Sequence, residues 1–293
     1  MRHNREMLSV EYVVKIQNGE RTSVDVIAKG MIDAFSDYVI AFPDDIAPIK
    51  FMMRQRGYEP ALSALVKVDN NVGGSWLIAR REGEGQAYAV AVGTAPEFRR
   101  LGYSRQIFEY LEVELAEKSF RSISLDVIST NDPAVFHYKS QEFKVVRHWD
   151  SFAGSLPGRA STTAEVSVLG SEANRLRELT GFGDWEPSVQ NSLNSIRNVG
   201  RDARLIIAHI KGETVGHCVF IPQNVEIMQI AMRADWRRKG IATSLFAKTA
   251  TLSPSSKARF TNIPVDERAT HQFLLALGWE KTVTKFEMQA EIA

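Results

Sequence analysis

Apolar residues along the chain fall into two kinds of run. Some are short and continuous or alternating, as strands require. Others recur every three to four residues, as on one face of a helix. Residues 10–17 predict a strand. Residues 23–37 predict a helix with Val24, Ile27, Ala28, Met31 and Phe35 on one side, and residues 44–56 a second helix. Residues 61–68, 76–81 and 88–94 predict a strand meander. Its turns are Asp69-Asn70-Asn71 with Gly73-Gly74, then Gly83-Glu84-Gly85. Helical spacing returns after Gly102 at Ile107, Phe108, Leu111, Val113 and Leu115. A strand, a helix to about residue 141 and closing strands follow. Beyond a small, polar, Pro- and Gly-containing stretch at 154–163, the same order begins again. Residues 205–210 and 215–221 read as strands around the Lys211-Gly212-Glu213 turn.

The second pass through this order repeats a short phrase. Arg99-Arg100-Leu101-Gly102-Tyr103-Ser104 and Arg237-Arg238-Lys239-Gly240-Ile241-Ala242, with Thr243 after it, each stand between a strand-like and a helix-like run. Their glycines lie 138 positions apart (240 − 102), about one domain. A strand-to-helix turn with a glycine presents backbone N–H groups and the positive end of a helix dipole, a site for phosphate. The neighbouring arginines add charge suited to a multiply anionic ligand. Two ordinary basic turns capping two helices are the simpler alternative.

Composition narrows the partners. At 293 residues the length fits about two domains, and 44% hydrophobic residues suffice for two cores. A net charge of +1 gives no polycationic face for nucleic acid. No apolar stretch has membrane-spanning length. The polar start at residues 1–6 lacks an apolar signal core, and Cys218, the one cysteine, excludes an intramolecular disulfide, so a cytoplasmic location is expected. Cys218 lies in an apolar strand-like run and reads as a buried small residue. His3, His137, His148, His209, His217 and His271 show no paired metal spacing, so no metal is expected, and His137 reads as a surface residue. Trp149, Trp185, Trp236 and Trp279 read as core or interface residues, Trp236 also as a wall of its phosphate turn.

The two phrases resemble the pyrophosphate loop [Q/R]-x-x-G-x-[G/A] of the GNAT superfamily of acetyl-CoA-dependent N-acyltransferases. The second copy fits fully; the first carries Ser104 where Gly or Ala is usual. Val92 to Arg99 resembles the family's strand-and-turn phrase ending V-x-P-E-[YF]-R. Asn131, Ala134, Tyr138 and Phe143 are similar to its later N-x-x-A-x-x-x-Y-x-x-x-G-F segment, with Glu142 in place of Gly. Asn262 and Leu277-Gly278-Trp279 look like that segment at longer spacing. Ala34-Phe35-Ser36-Asp37-Tyr38 resembles one bacterial branch of two-domain members. The resemblance implies an α/β fold of two tandem GNAT domains, 1–153 and 164–293, joined by a linker at 154–163. Each would hold a mixed, mostly antiparallel sheet flanked by helices, with central strands splayed to admit pantetheine. The first domain is expected to be catalytic and the second possibly degenerate.

The resemblance also implies acetyl-CoA as cofactor, gripped by residues 99–104 and 237–243, with Asn131 beside it. Backbone N–H groups of Val92, Gly93 and Thr94, or of Ile230, Ala231 and Met232, would polarise the thioester carbonyl. Tyr138 falls where the family places the acid toward coenzyme A sulfur. Its counterpart four before Gly278 is Leu274, which cannot donate a proton. The general base stays open: Glu82, Glu84 and Glu226 read first as solvated turn residues, and a water chain serves equally. Asp33, Asp37 and Tyr38 either face an amine or form a helix end. The implied reaction is direct acetyl transfer to a primary amine of a small molecule by a monomer or homodimer. A non-catalytic acyl-CoA-binding protein and a protein or peptide acetyltransferase stand as alternatives.

Overall fold

The computed structural model describes residues 13–292 apart from 70, 82, 84, 163, 171 and 172, so His3, Glu82 and Glu84 lie outside the described residues. The first half runs β1 (Val14–Asn18), α1 (Val24–Ala34), α2 (Ile46–Gln55), β2 (Ala64–Val68), β3 (Asn71–Arg80) and β4 (Gln86–Thr94). It continues with α3 (Tyr103–Glu117), β5 (Ser122–Ile128), α4 (Asp132–Lys139) and β6 (Lys144–Ser155). The second half runs β7 (Glu165–Gly170), α5 (Ala173–Glu178), α6 (Leu193–Val199), β8 (Arg204–Ile210), β9 (Glu213–Ile221) and β10 (Glu226–Met232). It ends with α7 (Ile241–Thr251), β11 (Lys257–Pro264), α8 (Arg268–Ala276) and β12 (Glu280–Glu291).

Local chemistry sets these bounds. Ser23 caps α1 by accepting from Val26 N, and Asn131 caps α4 by accepting from Ala134 N. Alternation along β3 sends Trp76 and Ile78 to the core under α3 and α4. Leu77 and Ala79 go to the core under α1 and α2. In β9, Cys218 and Phe220 likewise face the α7 side, Val219 and Ile221 the α6 side. Gly73 and Gly74, expected in a turn, are part of β3.

All twelve strands form one sheet, in the order β1-β2-β3-β4-β5-β12-β6-β11-β10-β9-β8-β7. The pairs β4–β5 and β10–β11 are parallel and every other pair is antiparallel. The last strand of each half crosses over: β12 pairs with β5, and β6 pairs with β11. Gly154 and Ser155 therefore complete β6 instead of opening a linker. Gly154 is there because Trp279 lies on it; a Cβ would come within 2.3 Å of the indole. α2 and α6 pack across the junction, where Ser195 Oγ donates to Gln55 O at 2.7 Å. Among the described residues no helix is long and apolar enough to cross a membrane.

Candidate active site

The sheet forks twice. β4 pairs with β5 only from Gln86↔Ser122 to Ala89↔Leu125, and its register against β3 shifts at Val90. Beyond that point β4 bonds only to β3, and β5 only to β12. Two strand edges are left facing each other across a gap, the arrangement that accepts an extended ligand by backbone hydrogen bonding. β10 and β11 repeat the fork, pairing at Glu226↔Arg259 and Ile227↔Phe260, with the register shift at Met228. Val90 and Met228 are 138 positions apart (228 − 90), as are the two phrase glycines.

After each fork the phrase makes the same turn. Gly102 and Gly240 sit at φ 80° and 77°, and Arg100 and Arg238 at φ 63° and 58°. The left-handed residues explain glycine at the helix cap. The first arginine of each phrase does not reach toward a ligand. Arg99 binds Asp37 through Nη1 at 2.7 Å and Nη2 at 2.6 Å, and also donates to Ala34 O and Thr94 O. Arg237 makes the same set with Asp184, Phe182 O and Met232 O. Each is a brace between the preceding strand and the segment behind it. The Arg99 guanidinium holds the Asp37 carboxyl below its ordinary range. Arg100, Leu101 and Arg238 are exposed at the turns, and Lys239 lies 4.4 Å above the Trp236 ring.

The two turns differ in what lies against them. Around Gly102, among the described residues, only the end of the Gln106 side chain approaches, 3.6 Å from where a Cβ would stand. Against Gly240 lies Ser161, its Oγ 2.7 Å and its carbonyl O 3.1 Å from where a Cβ would stand. Ser161 N and Thr162 N both donate to Ser244 Oγ, one turn into α7. The connecting segment thus covers the second turn. The second fork is bridged as well: Gln229 Nε2 donates to Asn191 O at 2.6 Å, and Asn191 Nδ2 to Thr261 O at 2.8 Å. Asn191 is fully buried. Ile230 and Met232 pack against the apolar core, with Ile241 inside it.

A cavity of about 890 Å³ opens at the first fork and extends under the junction of the halves. Ala89 to Val92 and Leu125 to Ile128 form its edges, so Val92 lines it while Gly93 and Thr94 lie beyond. Gly93 instead backs onto Phe35. Asn131 and Tyr138 line the cavity from α4. Tyr138 is buried against Trp76 and Phe143, and burial pushes its phenol well above the ordinary range, so it stays protonated. Tyr38, whose side chain bonds to Asn131, also lines the cavity. Asp37 is spent on Arg99, and Asp33 does not line the cavity.

Several sequence expectations are corrected here. His137 is half-buried, not on the surface: its Nε2 lies 2.9 Å from Ser104 Oγ, and burial lowers its pKa. Ser104, the departure from the loop pattern, also accepts from Trp76 Nε1. Glu226 is buried and paired with Arg259 at 2.8 Å, not solvated. Asn262 caps no helix; Glu267 caps α8. Leu274 stands seven residues after that cap, as Tyr138 does after Asn131, and is fully buried. The pattern missed Asp126, Lys285, Arg56 and Gln190, which meet on the cavity floor. Asp126 Oδ2 accepts from Tyr88 Oη (3.1 Å), Gln190 Nε2 (3.1 Å) and Asn262 Nδ2 (3.0 Å). Arg56 donates to Val90 O at 2.9 Å. Of these, Asp126 alone carried a sequence signal, a charge set inside the largely apolar strand β5.

Residues 31–143 and 173–279 each match the Acetyltransferase (GNAT) family. No curated protein matches the chain significantly. Among solved structures, a tandem GNAT protein from the clavulanic acid biosynthesis pathway, solved without AcCoA, superposes with a TM-score of 0.72 at 16% identity. It covers 97% of this chain and 99% of its own. A GCN5-related N-acetyltransferase from Sphaerobacter thermophilus follows, with a TM-score of 0.69, 13% identity and 96% of both chains covered. At these identities the likeness is one of fold.

Proposed function

Because the chain belongs to the Acetyltransferase (GNAT) family, we propose that its first half moves acetyl from acetyl-CoA to the primary amine of a small molecule. The second half, in this reading, serves as scaffold and cavity wall. The observation that carries it is the contrast between the turns: Gly102 is open, whereas Gly240 lies under Ser161. The first fork suits a pantetheine arm, since both unpaired edges offer backbone groups, and the N–H groups after Gly102 suit a pyrophosphate.

Acetyl-CoA supplies an activated acyl group as a thioester. The chain's own groups do the rest. The fork orients the reacting carbonyl, which can lower the barrier by several kcal/mol. The neutral amine nitrogen would form the new N–C bond as the C–S bond breaks; the Tyr138 phenol would give its proton to the departing sulfur, and the proton lost by the nitrogen would pass through solvent to restore the phenol. Burial raises that phenol, so its proton is in place at neutral pH, while the same shift makes it a weaker acid than an ordinary tyrosine and favours hydrogen bonding to the developing thiolate.

Calorimetric titration of acetyl-CoA into the whole chain tests this. One site per chain, together with N-acetylated product from an amine panel, is the expected result. Two equivalent sites would overturn the assignment of the two halves. One site without product from any amine would favour an acyl-CoA-binding protein.

A further inference from the structure

The floor of the cavity is built by the crossover strands. β11 bulges at Thr261 and Asn262 opposite β6, and β12 bulges at Thr282. These irregularities set Thr261 and Asn262 opposite Ser151, with Lys285 two positions along β12 from Ser151's partner Val283, and Ser151, Thr261 and Lys285 line the cavity. Lys285 Nζ donates to Asn262 Oδ1 at 3.0 Å, and it forms no ion pair among the described residues. Asp126 faces it, but that carboxylate already accepts from three neutral donors. Ser151 Oγ and Thr261 Oγ1 are buried without a hydrogen-bond partner, and Ser151 is 3% exposed. Buried hydroxyls without partners are rare, because each costs the lost hydration.

The charges at this end are unequal. Lys285 and Arg56 stand against Asp126 alone. The other two cavity carboxylates are matched already, Glu226 by Arg259 and Asp202 by Arg54. No carboxylate is spare for a polycationic acceptor. Across the cavity, Phe35 and Phe42 stack with ring centroids 4.6 Å apart, an apolar wall.

Resting on the acetyl-transfer reading above, we infer that the acceptor amine also carries a carboxylate, seated on Lys285, Ser151 and Thr261, with its apolar part against Phe35 and Phe42. Such a group satisfies the two open hydroxyls and the ammonium together, through charge-assisted hydrogen bonds. Burial lowers the pKa of Lys285, and a bound anion beside it would favour the charged form.

The test compares matched ligands binding to the whole chain loaded with coenzyme A. The pairs are phenylalanine with phenethylamine, leucine with isoamylamine, and 4-aminobutyrate with propylamine, followed by calorimetry or ligand-observed NMR. The carboxylate-bearing member of at least one pair should bind about tenfold more tightly. Lys285→Met should remove that preference, with acetyl-CoA affinity unchanged. Ser151→Ala should weaken it by less, and carries the test should Lys285→Met fail to fold. Equal binding within every pair, or a preference that survives these substitutions, overturns the inference. Because this readout needs no turnover, it is separable from the proposed function, which fails instead if acetyl-CoA binds and no amine is acetylated.

Discussion

Two forks, two phosphate turns and two arginine braces sit at matching places in the halves of this sheet, yet only the first set is open. In the first, Gly102 meets the end of one flexible side chain, and the fork leads into the cavity past Tyr138. In the second, Ser161 lies on Gly240, Asn191 joins the two edges, and Leu274 fills the place of the phenol. The second phrase is nevertheless the closer match to the family pattern. A loop sequence specifies a turn; whether the turn can receive a ligand depends on what the rest of the chain lays against it.

The sharpest way to break this comparison is to block each turn. Gly102→Glu adds a carboxylate where phosphate would bind and forces a side chain onto φ 80°, so acetyl-CoA affinity should fall by at least about 100-fold. Gly240→Glu should leave binding unchanged by calorimetry and instead lower the melting temperature, because Ser161 must move. Equal binding losses in the two variants would make the halves equivalent.

Tyr138→Phe should reduce kcat by about 100-fold with the KM for acetyl-CoA little altered. Its wild-type counterpart is a rate that does not decline up to about pH 10 through loss of this proton, since burial raises the phenol. Leu274→Tyr should restore nothing. Leu274→Ala should cost about 2–5 kcal/mol in denaturant unfolding, as for a buried core leucine, with no direct effect on chemistry.

The smallest effects sharpen the contrast from the closed side. His217 in β9 is held neutral by burial, with its pKa lowered to about 4. The unfolded chain therefore binds more protons than the folded one between about pH 6.5 and 4. Stability should fall as pH falls through that window, by at most about 1.4 kcal/mol per pH unit, and His217→Phe should flatten the slope. Cys218, buried with its thiol pushed up to about 12, should resist iodoacetamide until the chain unfolds.

Much of this arrangement could be read from residues. The apolar periods placed α1, α2, β2, β4, β8 and β9 to within a few positions, because each has a face to bury. The 138-residue repeat located both turns, and the family resemblance singled out Tyr138 against Leu274. Other features could not be read. Arg99 and Arg237 look like ligand-binding cations in sequence, yet each faces an aspartate more than fifty residues away. His137 looks exposed beside a tyrosine, yet folds onto Ser104. Asn262 looks like a second Asn131, yet sits in a strand bulge.

The sequence alone determined the element types, the duplication and the chemistry of the two turns, since these follow from side-chain period, backbone freedom at glycine and charge near a helix start. Only the tertiary structure decided that β6 and β12 exchange places, that Ser161 and Asn191 close the second site, and that Lys285, Ser151 and Thr261 share one floor. The pairings of β5 with β12, β12 with β6 and β6 with β11, which set the centre of the sheet and the cavity floor, join residues more than a hundred positions apart. Such contacts are chosen by which faces can be buried together, and no local pattern records that choice.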